Sequence, residues 1–170
     1  MIILGIGSNL SSPFGNRFTN VEMAISFLNV YGILVDKKSS FYETESYPDK
    51  KDPKFINIVL SIKTKLPPID LMSVLLFVEE KLHRKRNKKN APRTCDIDII
   101  DYNSEIVDFV YKDIKLNIPH KKLEFRNFVL FPLKEIYPEW KHPKTNEIIS
   151  TLIEKLPEVD RKSILKIEKY

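Results

Sequence analysis

Two aspartates, Asp96 and Asp98, sit one residue apart in the run TCDIDIIDY at 94–102. In an extended strand, residues i and i+2 share a face, so both carboxylates point one way while Ile97 and Ile99 point the other. Two like charges at that spacing repel, and burying them costs heavily or drives a carboxyl toward its neutral form. A hard divalent cation relieves both problems. Mg²⁺ accepts carboxylate oxygens and keeps water or substrate phosphates as its other ligands. The plainer alternative is a pair of exposed acids on the wet face of an antiparallel sheet. Just upstream lie Arg93 and the run KLHRKRNKKNAPR at 81–93, which is dense in Lys and Arg, includes Arg84 and Arg86, and has no acid. Such a run is either a solvated basic loop or a seat for a polyanion. Carboxylates, a metal and arginines in one place match the needs of phosphoryl transfer, where guanidiniums neutralise charge on the moving group. Arg serves better than Lys, because its planar fork can hold two phosphate oxygens at once.

The elements that must position these groups can be read from periodicity. IILGIG at 2–7 reads as a buried strand, followed by the turn-rich SNLSSPFGN. From Thr19 onward, Val21, Ala24, Ile25, Leu28 and Val30 follow helical spacing, with Thr19 or Asn20 as cap and Gly32 just past the end. Residues 33–46 read as one strand and 55–64 as its partner in a long hairpin with a polar, proline-bearing tip. A helix is expected over 66–85, opened by Pro67 and Pro68 with Asp70 in or beside its first turn. The basic run cannot extend that helix past Pro92. A strand over 94–102 follows, then short strands near 105–110 and 114–118, a helical segment over 120–136 broken by Pro132, and a last helix over 147–157. The order is β-α-β-β-α-β with extras. It predicts an α+β, ferredoxin-like core: a mainly antiparallel sheet with two helices on one face.

Length and composition bound the function classes. The chain has 170 residues, enough for one domain (1–170) with a sizeable core. The longest apolar run, near 71–78, is far short of a membrane span, and MIILGIGSNL carries no basic leader. One cysteine, Cys95, excludes an internal disulfide framework and a cysteine-rich zinc site. These features predict a cytoplasmic protein. The net charge of +5 is modest and its excess is local.

The stretch APRTCDIDI at 91–99 resembles the signature of the 6-hydroxymethyl-7,8-dihydropterin pyrophosphokinases of folate synthesis. Other blocks resemble the same family in the same order: GIGSNL at 5–10, SSFYET at 39–44, FINIVL at 55–60, VEEKLHRKR at 78–86 and IPHKKLEFRNFVLFPLKEI at 118–136. The resemblance implies transfer of the terminal two phosphates of ATP to the hydroxymethyl of a dihydropterin, leaving AMP. It implies that Asp96 and Asp98 hold two Mg²⁺ ions on the ATP phosphates, and that Arg84 and Arg93 are loop arginines that meet the triphosphate. Arg86, His120, Arg126 and Glu79 would belong to the ATP side. Phe55 and Phe128 would sandwich the pterin ring, Asn57 would hydrogen-bond its edge, and Thr44 would contact it through its backbone. The implied partners are ATP and the dihydropterin, with no nucleic acid and no membrane, and the expected state is a monomer.

Chemistry agrees with these assignments. A flat bicyclic heterocycle favours aromatic faces. An amide offers both a donor and an acceptor to a mixed edge. Asn57 lies two residues from Phe55, on the same strand face. The chain departs from the family pattern in places. His83 stands where a glycine is usual, Asn90 where a lid-forming tryptophan is usual, and the loop from Arg84 to Pro92 is a residue shorter. Cys95 replaces a leucine and is expected in the core. The loop ESYPDKKDPK has no clear counterpart, so no pterin contact is assigned there beyond Thr44. Two rivals remain at this stage: an RNA-binding module on a similar sheet, and a metal-dependent nucleotidyl transferase or nuclease. Against the first, the chain lacks the aromatic block of an RNA recognition motif, and paired acids would repel phosphates unless metal-loaded.

Overall fold

Alternation of apolar side chains builds the centre of the molecule. In the computed structural model, which describes residues 1–86, 90–111 and 114–168, β1 (Ile2–Ser8) is flanked by β4 (Phe55–Lys63) and β5 (Asp96–Tyr102). The sheet runs β5-β1-β4-β3-β8, with β2 (Leu34–Lys38) also pairing β4, and its strand pairs among the described residues are antiparallel. β3 is Phe41–Thr44 and β8 is Leu165–Ile167. A separate two-stranded ribbon joins β6 (Val107–Tyr111) to β7 (Ile114–Ile118). The α+β class with a mainly antiparallel sheet is therefore as expected. The tip of the expected basic loop, 87–89, lies outside the described residues.

The expected strand over 33–46 is two strands. Ser39 interrupts it: its N–H donates to the Val59 carbonyl at 3.0 Å, and its Oγ accepts the Val59 N–H at 3.0 Å. The first helix, α1 (Arg17–Val30), starts earlier than expected. Asn16, not Thr19 or Asn20, caps it, accepting from the N–H groups of Phe18 and Thr19 at 2.9 and 3.1 Å. α2 (Pro68–Lys81) begins with proline and carries Asp70 in its first turn, but stops before residue 85. The segment 120–136 is a short 3-10 turn (Leu123–Phe125) followed by α3 (Asn127–Ile136), which keeps Pro132 inside it. α4 (Ile149–Lys155) matches the last expected helix; α5 (Glu158–Lys162) and β8 were not foreseen.

The two expected helices, α1 and α2, share one face of the sheet, and the later helices cover part of the other. Leu4, Ile6, Ile58, Leu60, Ile97 and Ile99 pack with Val21, Leu28, Leu71, Leu75 and Val78 of α1 and α2; Cys95 is buried in the same core, as expected. On the other face, Ile3, Val59 and Ile100 pack with Leu130 and Leu133 of α3, Trp140 between the two helices and Leu152 of α4. That second core covers only one end of its face, and the uncovered end holds the site. No helix among the described residues is long and apolar enough to cross a membrane.

Candidate active site

Strand register decides which side chains meet. Asp96 lies opposite Gly7, and Asp98 opposite Gly5, on β1; Gly7 in turn faces Asn57 on β4. Paired residues project to the same side of a sheet, so the two carboxylates and Asn57 rise from one surface with two glycines between them. The glycine floor is a spatial requirement. A Cβ on Gly7 would stand 2.9 Å from Asn57 Oδ1 and 3.5 Å from the Phe55 ring. Above this floor opens a cleft of about 690 Å³ lined by Thr44, Phe55, Asn57, Arg93, Asp96, Asp98, Arg126 and Phe128, among others. Eight of the expected site residues therefore share one cavity.

Arginines already neutralise the acids. Asp96 is ion-paired with Arg84 and, at 2.6 Å, with Arg93; Asp98 pairs with Arg126 at 2.8 Å. Burial alone would push the Asp96 carboxyl up, but the guanidiniums of Arg93 and Arg84 outweigh it and hold the group below the usual carboxylate range. Arg93 also lies over the Phe55 ring at 4.9 Å, and Arg126 over Phe128 at 5.4 Å. Among the described residues the buried Nε of Arg93 has no hydrogen-bond partner, a donor left for a ligand in a cationic corner. Asn57 donates to Thr44 Oγ1 at 3.0 Å, which fixes the direction of its amide.

Glu79, Arg84 and Arg86 sit behind the acids instead of lining the cleft. The Glu79 carboxylate, 3% exposed, accepts from the Ile97 N–H at 2.7 Å, pairs with Arg84 at 2.6 Å, and pairs with Arg86 through its other oxygen. Burial, with the Asp96 charge adding to it, raises its pKa to about 7 against the opposing pull of Arg84. Glu79 thus ties α2, β5 and the start of the basic loop together. His120, half-buried, accepts the Lys122 N–H at 3.0 Å through Nδ1. Burial and the Arg126 charge push it below the ordinary histidine value, against the pull of Asp98 and Asp96.

His83 occupies a left-handed helix end. Its φ is 62°, its N–H donates to the Glu80 carbonyl at 2.9 Å, and the Arg84 N–H donates to the Glu79 carbonyl at 3.0 Å. These two bonds form the helix-ending motif that usually places glycine in the left-handed position. α1 ends with the same pair of bonds, the Gly32 N–H donating to the Asn29 carbonyl and the Ile33 N–H to the Leu28 carbonyl. His83 therefore does a glycine's job at some conformational cost.

Sequence reasoning missed Asn9. Its Oδ1 accepts the Arg93 N–H at 2.7 Å, and its Nδ2 donates to the Pro53 carbonyl at 2.9 Å and to Ser46 Oγ at 3.2 Å. The only hint in the sequence is a polar residue directly after the first strand. Also missed were Tyr47 and Lys50 of the 45–54 loop and Lys122, all of which line the cleft.

A mainly antiparallel sheet carries paired carboxylates among arginines, beside two phenylalanines, an arrangement whose charges suit phosphate groups. Residues 3–138 match the model of the 7,8-dihydro-6-hydroxymethylpterin-pyrophosphokinase family. The chain belongs to that family. It is 36% identical over 155 residues to a 2-amino-4-hydroxy-6-hydroxymethyldihydropteridine pyrophosphokinase of Synechocystis, covering 91% of this chain and 75% of that protein. The enzyme of the same name from Aquifex aeolicus is 35% identical over 142 residues, covering 84% and 83%. A folic acid synthesis protein of Schizosaccharomyces pombe is 36% identical over 155 residues, and there the chain spans 91% of itself but 20% of the relative. Among solved structures, Plasmodium falciparum HPPK-DHPS with pterin and p-hydroxybenzoate shares the fold, with a TM-score of 0.75 at 16% identity, over 98% of this chain and 47% of that one.

Proposed function

We propose that this cleft transfers the terminal pyrophosphoryl group of ATP to the hydroxymethyl group of 6-hydroxymethyl-7,8-dihydropterin, releasing AMP, as a step of folate synthesis. The observation that carries the reading is the convergence of Asp96, Asp98, Arg93 and Arg126 with Phe55, Asn57 and Phe128 in one cleft. The hydroxymethyl oxygen attacks the β-phosphorus, the bond from that phosphorus to the oxygen bridging the α-phosphate breaks, and AMP leaves with that oxygen. The hydroxyl proton is released.

Each side chain has a task in this reading. Phe55 and Phe128 supply two ring faces, and Asn57, aimed by its bond to Thr44, meets the pterin's polar edge. Arg93 and Arg84 move from Asp96 to the phosphates and neutralise charge as it develops. Arg86, Arg126 and His120 serve the nucleotide side, and Glu79 positions the arginines. A strong general base is not required when the transition state is loose and metaphosphate-like.

The donors fit Mg²⁺. Asp96 and Asp98 present hard carboxylate oxygens side by side above a floor without side chains, leaving room for phosphate oxygens to complete the coordination. Two bound Mg²⁺ ions would supply electrostatic stabilisation of the phosphate oxygens. We further read residues 1–170 as one domain that works as a monomer in the cytoplasm, without nucleic acid. The test is product analysis with ATP, Mg²⁺ and the dihydropterin. AMP and pterin pyrophosphate in equal amounts are expected; ADP, or free pyrophosphate without a modified pterin, would reject the reading.

A further inference from the structure

The match to the family ends at residue 138, yet the cleft does not. Val159 and Asp160 of α5, and Ser163 just after it, line the same cavity as Asp96 and Phe55. We propose that the α5–β8 segment is a working wall of the substrate cleft and that Val159 is a specificity-determining residue for the ring substrate; this rests on the function proposed above.

Two attachments hold the segment against the site. Asn127, at the start of α3 between Arg126 and Phe128, donates from Nδ2 to the Asp160 carbonyl at 2.6 Å and to Ser163 Oγ at 3.2 Å. Beyond it, β8 pairs antiparallel with β3, placing Ile167 opposite Phe41, Lys166 opposite Tyr42 and Leu165 opposite Glu43. β3 ends at Thr44, the partner of Asn57. Lys166 also reaches Glu135 of α3 at 3.1 Å. The segment therefore bridges the strand that carries Thr44 and the helix that carries Phe128, which supply two sides of the ring compartment.

The chemistry of the wall assigns the ligand part it meets. Val159 is 66% exposed and Phe125, on the same cleft, is 72% exposed. Exposed apolar groups at the rim offer nothing to a triphosphate, which the arginines and acids attract. They suit the uncharged edge of a flat heterocycle, whose hydrogen-bonding edge faces Asn57.

The experiment measures binding of unreactive 6-hydroxymethylpterin by its fluorescence, and of a methylene ATP analogue by calorimetry, to the wild type, Val159→Asp, Asn127→Asp and Val30→Asp. Val30 is a still more exposed valine at the end of α1, under the opposite face. Val159→Asp is expected to weaken pterin binding by about tenfold, a charge set against an apolar partner, with nucleotide binding unchanged. Asn127→Asp, which puts an anion against the Asp160 carbonyl, is expected to weaken pterin binding severalfold, and Val30→Asp to leave it unchanged. Unaltered pterin binding by Val159→Asp, or equal loss of pterin and nucleotide, overturns the assignment while leaving the proposed function standing if the wild type still makes AMP. A wild type that binds no pterin overturns both.

Discussion

The two faces of the central sheet are built from alternate residues of the same strands, and they differ in kind. On the α1–α2 face, Leu4, Ile6, Ile58, Leu60, Ile97 and Ile99 form an unbroken apolar layer. On the other face, Ile3, Val59 and Ile100 are apolar only at one end, and the rows then change to Gly5 beside Asp98 and to Gly7 between Asp96 and Asn57. The first face contributes stability through burial. The second holds charges at a desolvation cost that Arg84, Arg93 and Arg126 offset. Each strand therefore stabilises the fold with one set of residues and builds the site with the next.

Variants on the two faces should separate these contributions. Asp98→Ala should reduce AMP formation more than about a thousandfold, the scale of losing transition-state charge stabilisation, while the thermal midpoint changes little. Leu4→Ala, in the next row but on the opposite face, should do the reverse: a loss of roughly 2–5 kcal/mol in chemical denaturation with specific activity retained below the transition. Gly7→Ala tests the bare floor. The added methyl displaces Asn57, so the KM for the dihydropterin should rise about tenfold, the worth of a hydrogen bond, with the KM for ATP nearly unchanged.

Glu79 adds a pH signature to the site side. Its folded pKa of about 7 lies above the ordinary 4.5, so its contribution is most favourable below that lower value and is lost as pH rises toward 7. Between pH 4.5 and 7 the wild type should lose up to about 3 kcal/mol of stability that Glu79→Gln does not lose, seen as a flatter denaturation profile for the variant. The smallest effect belongs to His83→Gly. It should stabilise by up to about 1 kcal/mol by relieving the left-handed backbone, less the loss of the His83 packing on Phe14, measured by thermal melting.

What the sequence revealed follows from what is local. The facing of Asp96 and Asp98 needs only a period of two, and Pro67, Pro68 and Asp70 mark a helix start without help from elsewhere. Gly32 marked the end of α1, but Asn16 was passed over because the apolar spacing begins later than the cap. The break at Ser39 depends on Val59 across the sheet, so no local pattern discloses it. α5 and β8 are too short to show a period, and the strand exists by virtue of the β3 edge it pairs with. Asn9 and Gly7 gain meaning only when Arg93, Pro53 and Asn57 are brought alongside them. The roles proposed for Phe55 and Phe128 come from the resemblance to the family; periodicity alone leaves them ordinary core phenylalanines.

The most direct test counts divalent ions at the aspartate pair. Manganese binding can be followed by electron paramagnetic resonance with a methylene ATP analogue present, for the wild type and for Asp98→Asn. The account expects two tightly held ions per wild-type chain and fewer in the variant, with the analogue still bound by calorimetry. Equal ion counts in the two proteins would contradict it.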